Sequence, residues 1–114
     1  MRVKIHVGFL GLGNIGSGVW QLIQRRHEQL CERDQVDFLV KRVLVRSLEK
    51  PRSVPIEDRV LTTDPQDILQ DDSIGLVAEF MGGLEPARSY LIEALKRGKT
   101  VVTANKVVVS QAWE

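Results

Sequence analysis

Cysteine is nearly absent. The one thiol, Cys31, among 114 residues rules out an intrachain disulfide, a CxxC redox pair and a multi-cysteine zinc site, and a reducing compartment is the expected setting. Charge of one sign is scarce too, since 16 Lys and Arg stand against 15 Asp and Glu and leave a formal net charge of +1. Non-specific nucleic-acid binding and polybasic membrane attachment both need clustered positive charge, so neither nucleic acid nor membrane is an expected partner. Long hydrophobic runs are missing. Residues 7–12 and 75–81 are the longest apolar stretches and fall well short of the ~18–20 residues of a membrane span. The opening Met-Arg-Val-Lys-Ile-His-Val-Gly lacks the apolar segment of a signal peptide, so a soluble, cytoplasmic protein is expected.

At 43% hydrophobic and 27% charged residues the composition is that of a folded chain. A chain of this size supports one core, so residues 1–114 are expected to form a single domain. Val3, Ile5, Val7 and Phe9 alternate with other residues and lead into a glycine cluster, which reads as a strand ending in a tight turn. Val19, Trp20, Leu22, Ile23 and Leu30 fall mainly at helical spacings within 15–33, with charges between them, and predict one long helix. Residues 38–45 read as a buried strand. Residues 47–60, with Pro51 and Pro55, read as a surface loop with a short strand near 60–61. Asp64 before Pro65 predicts the cap of a short helix over 65–70, and 74–80 reads as another buried strand. A helix from Glu85-Pro86 to Gly98, a strand over 101–103 and a further helix from Asn105 complete the pattern.

Strands alternating with helices imply an α/β doubly wound, mainly parallel sheet with right-handed crossovers. No internal repeat or low-complexity segment is evident. The chain ends at Trp113-Glu114 inside a helical pattern without a stop signal, and is therefore expected to be an excised or truncated domain.

Gly11-Leu12-Gly13-Asn14-Ile15-Gly16 matches GxGxxG directly after the first strand and at the mouth of a helix. In a Rossmann-type fold the first glycine permits the tight turn, the second lets backbone N–H groups approach a pyrophosphate, and the third lets the helix pack on the sheet. The free N–H groups of the helix start favour the anion. The end of the second strand reads the adenosine ribose: Asp or Glu accepts from a 2′-hydroxyl, whereas Arg accommodates a 2′-phosphate. Here Arg46-Ser47 stands at that end with Lys50 and Arg52 behind, so NADP is expected over NAD, with NAD still possible. Gly82 and Gly83 follow one strand and Thr103-Ala104-Asn105-Lys106 the next, at the edge where open α/β sheets bind ligands.

Through GFLGLGNIGSGV, KRVLVRSLEKPR, LTTDPQDIL and VAEFMGGLEPARSYLIEALKRGKTVVTANK the chain resembles the N-terminal cofactor-binding domain of homoserine dehydrogenase over nearly its whole length. The resemblance implies an NAD(P)-dependent oxidoreductase of the threonine and methionine pathways. Such an enzyme interconverts homoserine and aspartate semialdehyde and works as a homodimer when full length. It further implies that Gly11, Gly13, Asn14, Ile15 and Gly16 surround the pyrophosphate, mainly through main chain. Arg46 with Ser47 would meet the 2′-phosphate, and Gly82, Gly83, Thr103, Ala104 and Asn105 the nicotinamide ribose. Asn14 stands where many members have Thr, which changes little for a main-chain contact.

Lys106 matches the family's catalytic lysine, and a separate argument points the same way. A cation in the first turn of a helix opposes the macrodipole by up to about 1 kcal/mol, and a local rule broken at a ligand-facing edge signals function. A lysine there can hold the substrate hydroxyl or exchange a proton with it. His6, His27 and Cys31 are expected to be structural, without metal-spaced partners or a neighbouring base, so no metal site is expected. The family's substrate domain is expected to lie outside this chain, and the chain is expected to bind cofactor without turning over homoserine. Two alternatives stay open. One is another amino-acid-pathway dehydrogenase; the other is a stand-alone NAD(P)-sensing module, which has no need of Lys106.

Overall fold

The structure, a computed structural model, describes residues 3–104. Five strands form one sheet: β1 (Val3–Leu10), β2 (Val36–Leu44), β3 (Leu61–Thr62), β4 (Ile74–Glu79) and β5 (Thr100–Thr103). Their spatial order is β3-β2-β1-β4-β5 and every neighbouring pair is parallel, which is the expected doubly wound, Rossmann-type arrangement. β1 lies at the centre. The chain leaves it toward β2 on one side and returns to β4 on the other, so the topological switch point lies between β1 and β4.

The period-two pattern of β1 supplies both layers of the core. Leu10, with Leu44 and Val77, faces α3 (Gln66–Leu69) and α4 (Ala87–Lys96) through Ile68, Leu69, Ala87, Leu91 and Ala94. Val7 and Phe9, with Val43 and Ala78, face the opposite way and meet Val19, Trp20 and Ile23 of α1 (Gly13–Arg25). Trp20 is thus partly buried against the core. Gly8 allows α3 to close on β1, since a Cβ there would stand 2.5 Å from Ile68 Cγ2.

The long helix expected over 15–33 is instead two, α1 and α2 (His27–Glu32), which meet at Arg26 with φ −100° and ψ 11°. Helical bonding runs through the bend, because the Arg26 N–H donates to Leu22 O at 3.0 Å and the Leu30 N–H to Arg26 O at 2.9 Å. Packing accounts for the turn. Val19, Trp20 and Ile23 lie on the middle of the sheet, while α2 swings onto β2 and buries Cys31. The loop after β2 also departs from a plain surface loop: Val54 is buried and Ile56 packs beside it where a crossover helix would otherwise cover this face. β3 begins one residue later than expected, after a single 3-10 turn over Asp58–Val60. The Asp64 cap is present, its carboxylate accepting from the Gln66 N–H at 2.9 Å. Among the described residues no helix is long and apolar enough to cross a membrane.

Under the amino-terminal edge of the sheet, Asp71 accepts from Lys41 Nζ at 2.7 Å and from the Ser73 N–H and hydroxyl at 2.9 and 2.7 Å. Buried Lys99 donates to the carbonyls of Asp71 and Ile74, at 2.6 and 2.7 Å, and ties the start of β5 to the start of β4. The Lys41 hydrogen bond, more than any other contact, holds the Asp71 carboxyl at about 2, below its ordinary 3.8. A pKa lowered by folding contributes stability above the unfolded value, and that contribution is lost as pH falls from about 4 toward about 2. Asp71→Asn is expected to cost about 1 kcal/mol at neutral pH, solvent screening keeping the effect modest, and to flatten the acid response. Urea melts at a series of pH values check this; an acid response of the variant identical to wild type between about pH 4 and about pH 2 would contradict it.

Candidate functional site

Strand ends bring most of the sequence-predicted residues to one edge. β1 ends in Leu10, and the Gly11 N–H donates to Leu44 O at 3.0 Å, which ties the turn after β1 to the end of β2. Gly11 has φ +90°, and a Cβ on it would lie 3.2 Å from Met81 Cα, so both the backbone angle and the closeness of the next loop require glycine. Met81, which begins the segment at the ligand edge but to which the sequence assigns no role, therefore forms the wall of the glycine turn. Only its place after a buried strand hinted at that. Gly16, buried one turn into α1, lies where a Cβ would stand 3.2 Å from the Phe80 ring, and Phe80 itself meets Phe9 edge-on with ring centroids 5.1 Å apart. Helix α1 is thereby drawn close onto the sheet.

Gly13 differs from both neighbours. It has φ +48°, it is exposed, and a Cβ on it would meet nothing within 4 Å, so its backbone borders open space. Asn14 and Ile15 are likewise exposed in the first turn of α1. Among the described residues no side chain caps this helix and no acid stands in its first turn. Its leading N–H groups and the positive end of its dipole are thus available to an anion.

Glu79 joins the two loops on the other side of the switch point. It is fully buried at the end of β4. Its Oε2 accepts from the Met81 N–H at 2.5 Å and its Oε1 from the Thr103 hydroxyl at 2.6 Å, while its carbonyl accepts from the Ala104 N–H at 3.3 Å. One side chain therefore sets the loop that carries exposed Gly82 and Gly83, with φ +77° and +74°, against the end of β5. Arg46 lies exposed just past β2, two residues beyond the strand-end Leu44 to which the glycine turn is bonded. It makes no hydrogen bond or ion pair with another described residue. Ser47 beside it is held by its loop: its carbonyl accepts from Arg52 and its hydroxyl from the Glu49 N–H at 3.3 Å. Arg52, grouped by sequence with the phosphate-reading cations, thus shapes the loop. Asn105 and Lys106 lie outside the described residues, as does the helix expected from Asn105.

One expectation is corrected away from this edge. Sequence spacing gives His27 and Cys31 no partner and no nearby base, yet Cys31 Sγ lies 3.5 Å from His27 Nε2, which itself lies 3.1 Å from Asp37 Oδ1. Helical spacing places the first two on one side of α2. Asp37 arrives only when the chain reverses into β2, a tertiary step that spacing alone does not reveal.

The profile of the family described as "Homoserine dehydrogenase, NAD binding domain" matches residues 11–113. The chain belongs to this family. Among curated relatives, homoserine dehydrogenase of Synechocystis is 46% identical over 111 residues, which is 97% of this chain and 25% of that protein. The Bacillus subtilis homoserine dehydrogenase is 44% identical over 102 residues, 90% of this chain and 24% of that protein. The crystal structure of Staphylococcus aureus homoserine dehydrogenase at pH 7.0 superposes with a TM-score of 0.89 at 38% identity, covering 97% of this chain and 29% of that one. The chain thus spans about a quarter of the length of the curated relatives it matches. Its ligand class is a nicotinamide cofactor.

Proposed function

We propose that the chain is the cofactor half of an enzyme interconverting homoserine and aspartate semialdehyde, and that it takes NADP(H) in preference to NAD(H). The observation that carries the cofactor site is the glycine turn. Gly13 borders open space at φ +48° beside an uncapped helix start, so a pyrophosphate can reach main-chain N–H groups without meeting a Cβ. Gly11, Gly13, Asn14, Ile15 and Gly16 would hold it there. The arrangement Glu79 imposes on Met81 and Thr103 would set Gly82, Gly83, Thr103 and Ala104 around the nicotinamide ribose, which the family resemblance extends to Asn105. The nicotinamide, when bound, supplies hydride acceptance or donation. Lys106 would hold the substrate hydroxyl and exchange its proton, and turnover unchanged by Lys106→Ala in the full-length enzyme would remove it from that role.

The preference for NADP(H) rests on Arg46. It is a fork of donors at the end of β2, exposed and unpaired among the described residues, where a carboxylate would otherwise accept from the ribose 2′-hydroxyl. Paired titrations with NADPH and NADH at fixed salt test it. Arg46→Ala is expected to weaken NADPH binding about tenfold or more, the value of a charge-assisted hydrogen bond, and to leave NADH binding nearly unchanged. Equal binding of the two cofactors, unchanged by the substitution, would make Arg46 an ordinary surface charge. Binding of neither cofactor by the wild-type protein would refute the site.

A further inference from the structure

We propose that His27, Cys31 and Asp37 bind a divalent cation of the zinc class. One turn of α2 separates His27 from Cys31, so both side chains project from one side of the helix. The chain then reverses through Gln35, at φ +58°, and sets Asp37 of β2 opposite them. His27 Nε2 lies 3.1 Å from Asp37 Oδ1 and 3.5 Å from Cys31 Sγ, and all three candidate ligand atoms fall within 4.8 Å of one another. A tetrahedral zinc with metal–ligand bonds of about 2.0–2.3 Å holds its ligand atoms about 3.3–3.6 Å apart, so both of these separations already stand within a few tenths of an ångström of what the ion needs.

The way the groups meet also selects a metal over a hydrogen-bonded relay. In a Cys–His–Asp relay the imidazole uses one nitrogen toward the thiol and the other toward the carboxylate. Here both contacts converge on Nε2. A single ring nitrogen carries one proton or one lone pair and cannot serve an acid and a thiol well together. A cation at the centre uses a lone pair from each of the three. Nitrogen, thiolate sulfur and carboxylate oxygen form the donor set that zinc accepts and that magnesium and calcium do not favour.

Burial is graded across the cluster. The thiol is buried, the Asp37 side chain is 26% exposed and the His27 side chain 51%, which leaves an entry path and room for water as the fourth ligand. The cluster lies at the start of β2, at the edge of the sheet opposite the glycine turn, so the bound ion pins α2 to β2 and takes no part at the proposed cofactor site.

Cobalt titration of the untagged, reduced protein tests this. Co²⁺ is expected to give a near-ultraviolet thiolate-to-metal charge-transfer band together with tetrahedral visible bands, both removed by added Zn²⁺, and Zn²⁺ is expected to raise the melting temperature. Cys31→Ser is expected to abolish the charge-transfer band. His27→Gln, which replaces a half-exposed side chain and so leaves the fold intact, is expected to weaken cobalt binding about tenfold or more. Absence of the band in the wild type, or a band and affinity unchanged in His27→Gln, would overturn the proposal. So would cobalt uptake equal in the wild type and both variants, since other side chains would then hold the ion.

Discussion

Glu79→Ala is expected to destabilise the domain by about 2–4 kcal/mol, because two part-buried donors lose their acceptor and a cavity is left where a fully buried side chain stood. Glu79 has no exposed surface, and its two oxygens separately accept from the Met81 N–H at 2.5 Å and the Thr103 hydroxyl at 2.6 Å. An unsatisfied buried donor costs about 1–3 kcal/mol and a part-buried one falls at the low end of that range, to which the lost side-chain volume adds. For a domain of about a hundred residues this is a large share of the total stability. Glu79→Gln keeps the shape, and with its oxygen toward the Met81 N–H and its amide N–H donating to the Thr103 hydroxyl oxygen it keeps both hydrogen bonds without the charge, so a smaller loss of about 1 kcal/mol is expected. Urea denaturation of the two variants gives the comparison. An alanine variant within about 1 kcal/mol of wild type would show that water replaces the carboxyl, and that Glu79 does not join the two loops.

That role shows how the sequence and the tertiary structure divide the information. The sheet was legible because alternation in β1 and the Val- and Leu-rich run of β2 are local signals, and the glycine turn because Gly11 answers a backbone requirement written in a motif. Glu79 ends an apolar strand, but its partners Met81 and Thr103 lie on different connections and meet only when β4 pairs with β5. The bend at Arg26 was illegible because neither glycine nor proline marks it; it follows from how two apolar segments lie on a twisted sheet. The plug at Val54 looked like loop sequence, since one buried valine among charges has no periodicity. The tight approach of Gly8 to Ile68 joins residues far apart in the chain, and no window around either reveals it. His27, Cys31 and Asp37 were missed for the same reason: two share a helix and the third sits beyond a chain reversal.

Two glycines of α1 separate anion binding from stability. Gly13→Ala is expected to weaken cofactor binding about tenfold or more, equivalent to about 1.4 kcal/mol, and to cost about 1 kcal/mol of stability. The stability cost comes from φ +48°, where an L side chain is strained; the built Cβ meets nothing within 4 Å, so no clash adds to it. The binding loss comes from the same open space, because a methyl placed there occupies the approach to the first N–H groups of α1. Gly18→Ala is the matched control. Gly18 is also exposed with nothing within 4 Å of a built Cβ, but it lies inside the helix with no positive φ. Alanine there is expected to raise stability by up to about 1 kcal/mol through helix propensity and to leave cofactor affinity unchanged. Calorimetric titration and thermal melts on both variants read the two effects apart. Equal affinities for the two variants would mean that the pyrophosphate does not approach Gly13, and the glycine turn would then serve only to pack α1 against Met81 and Phe80.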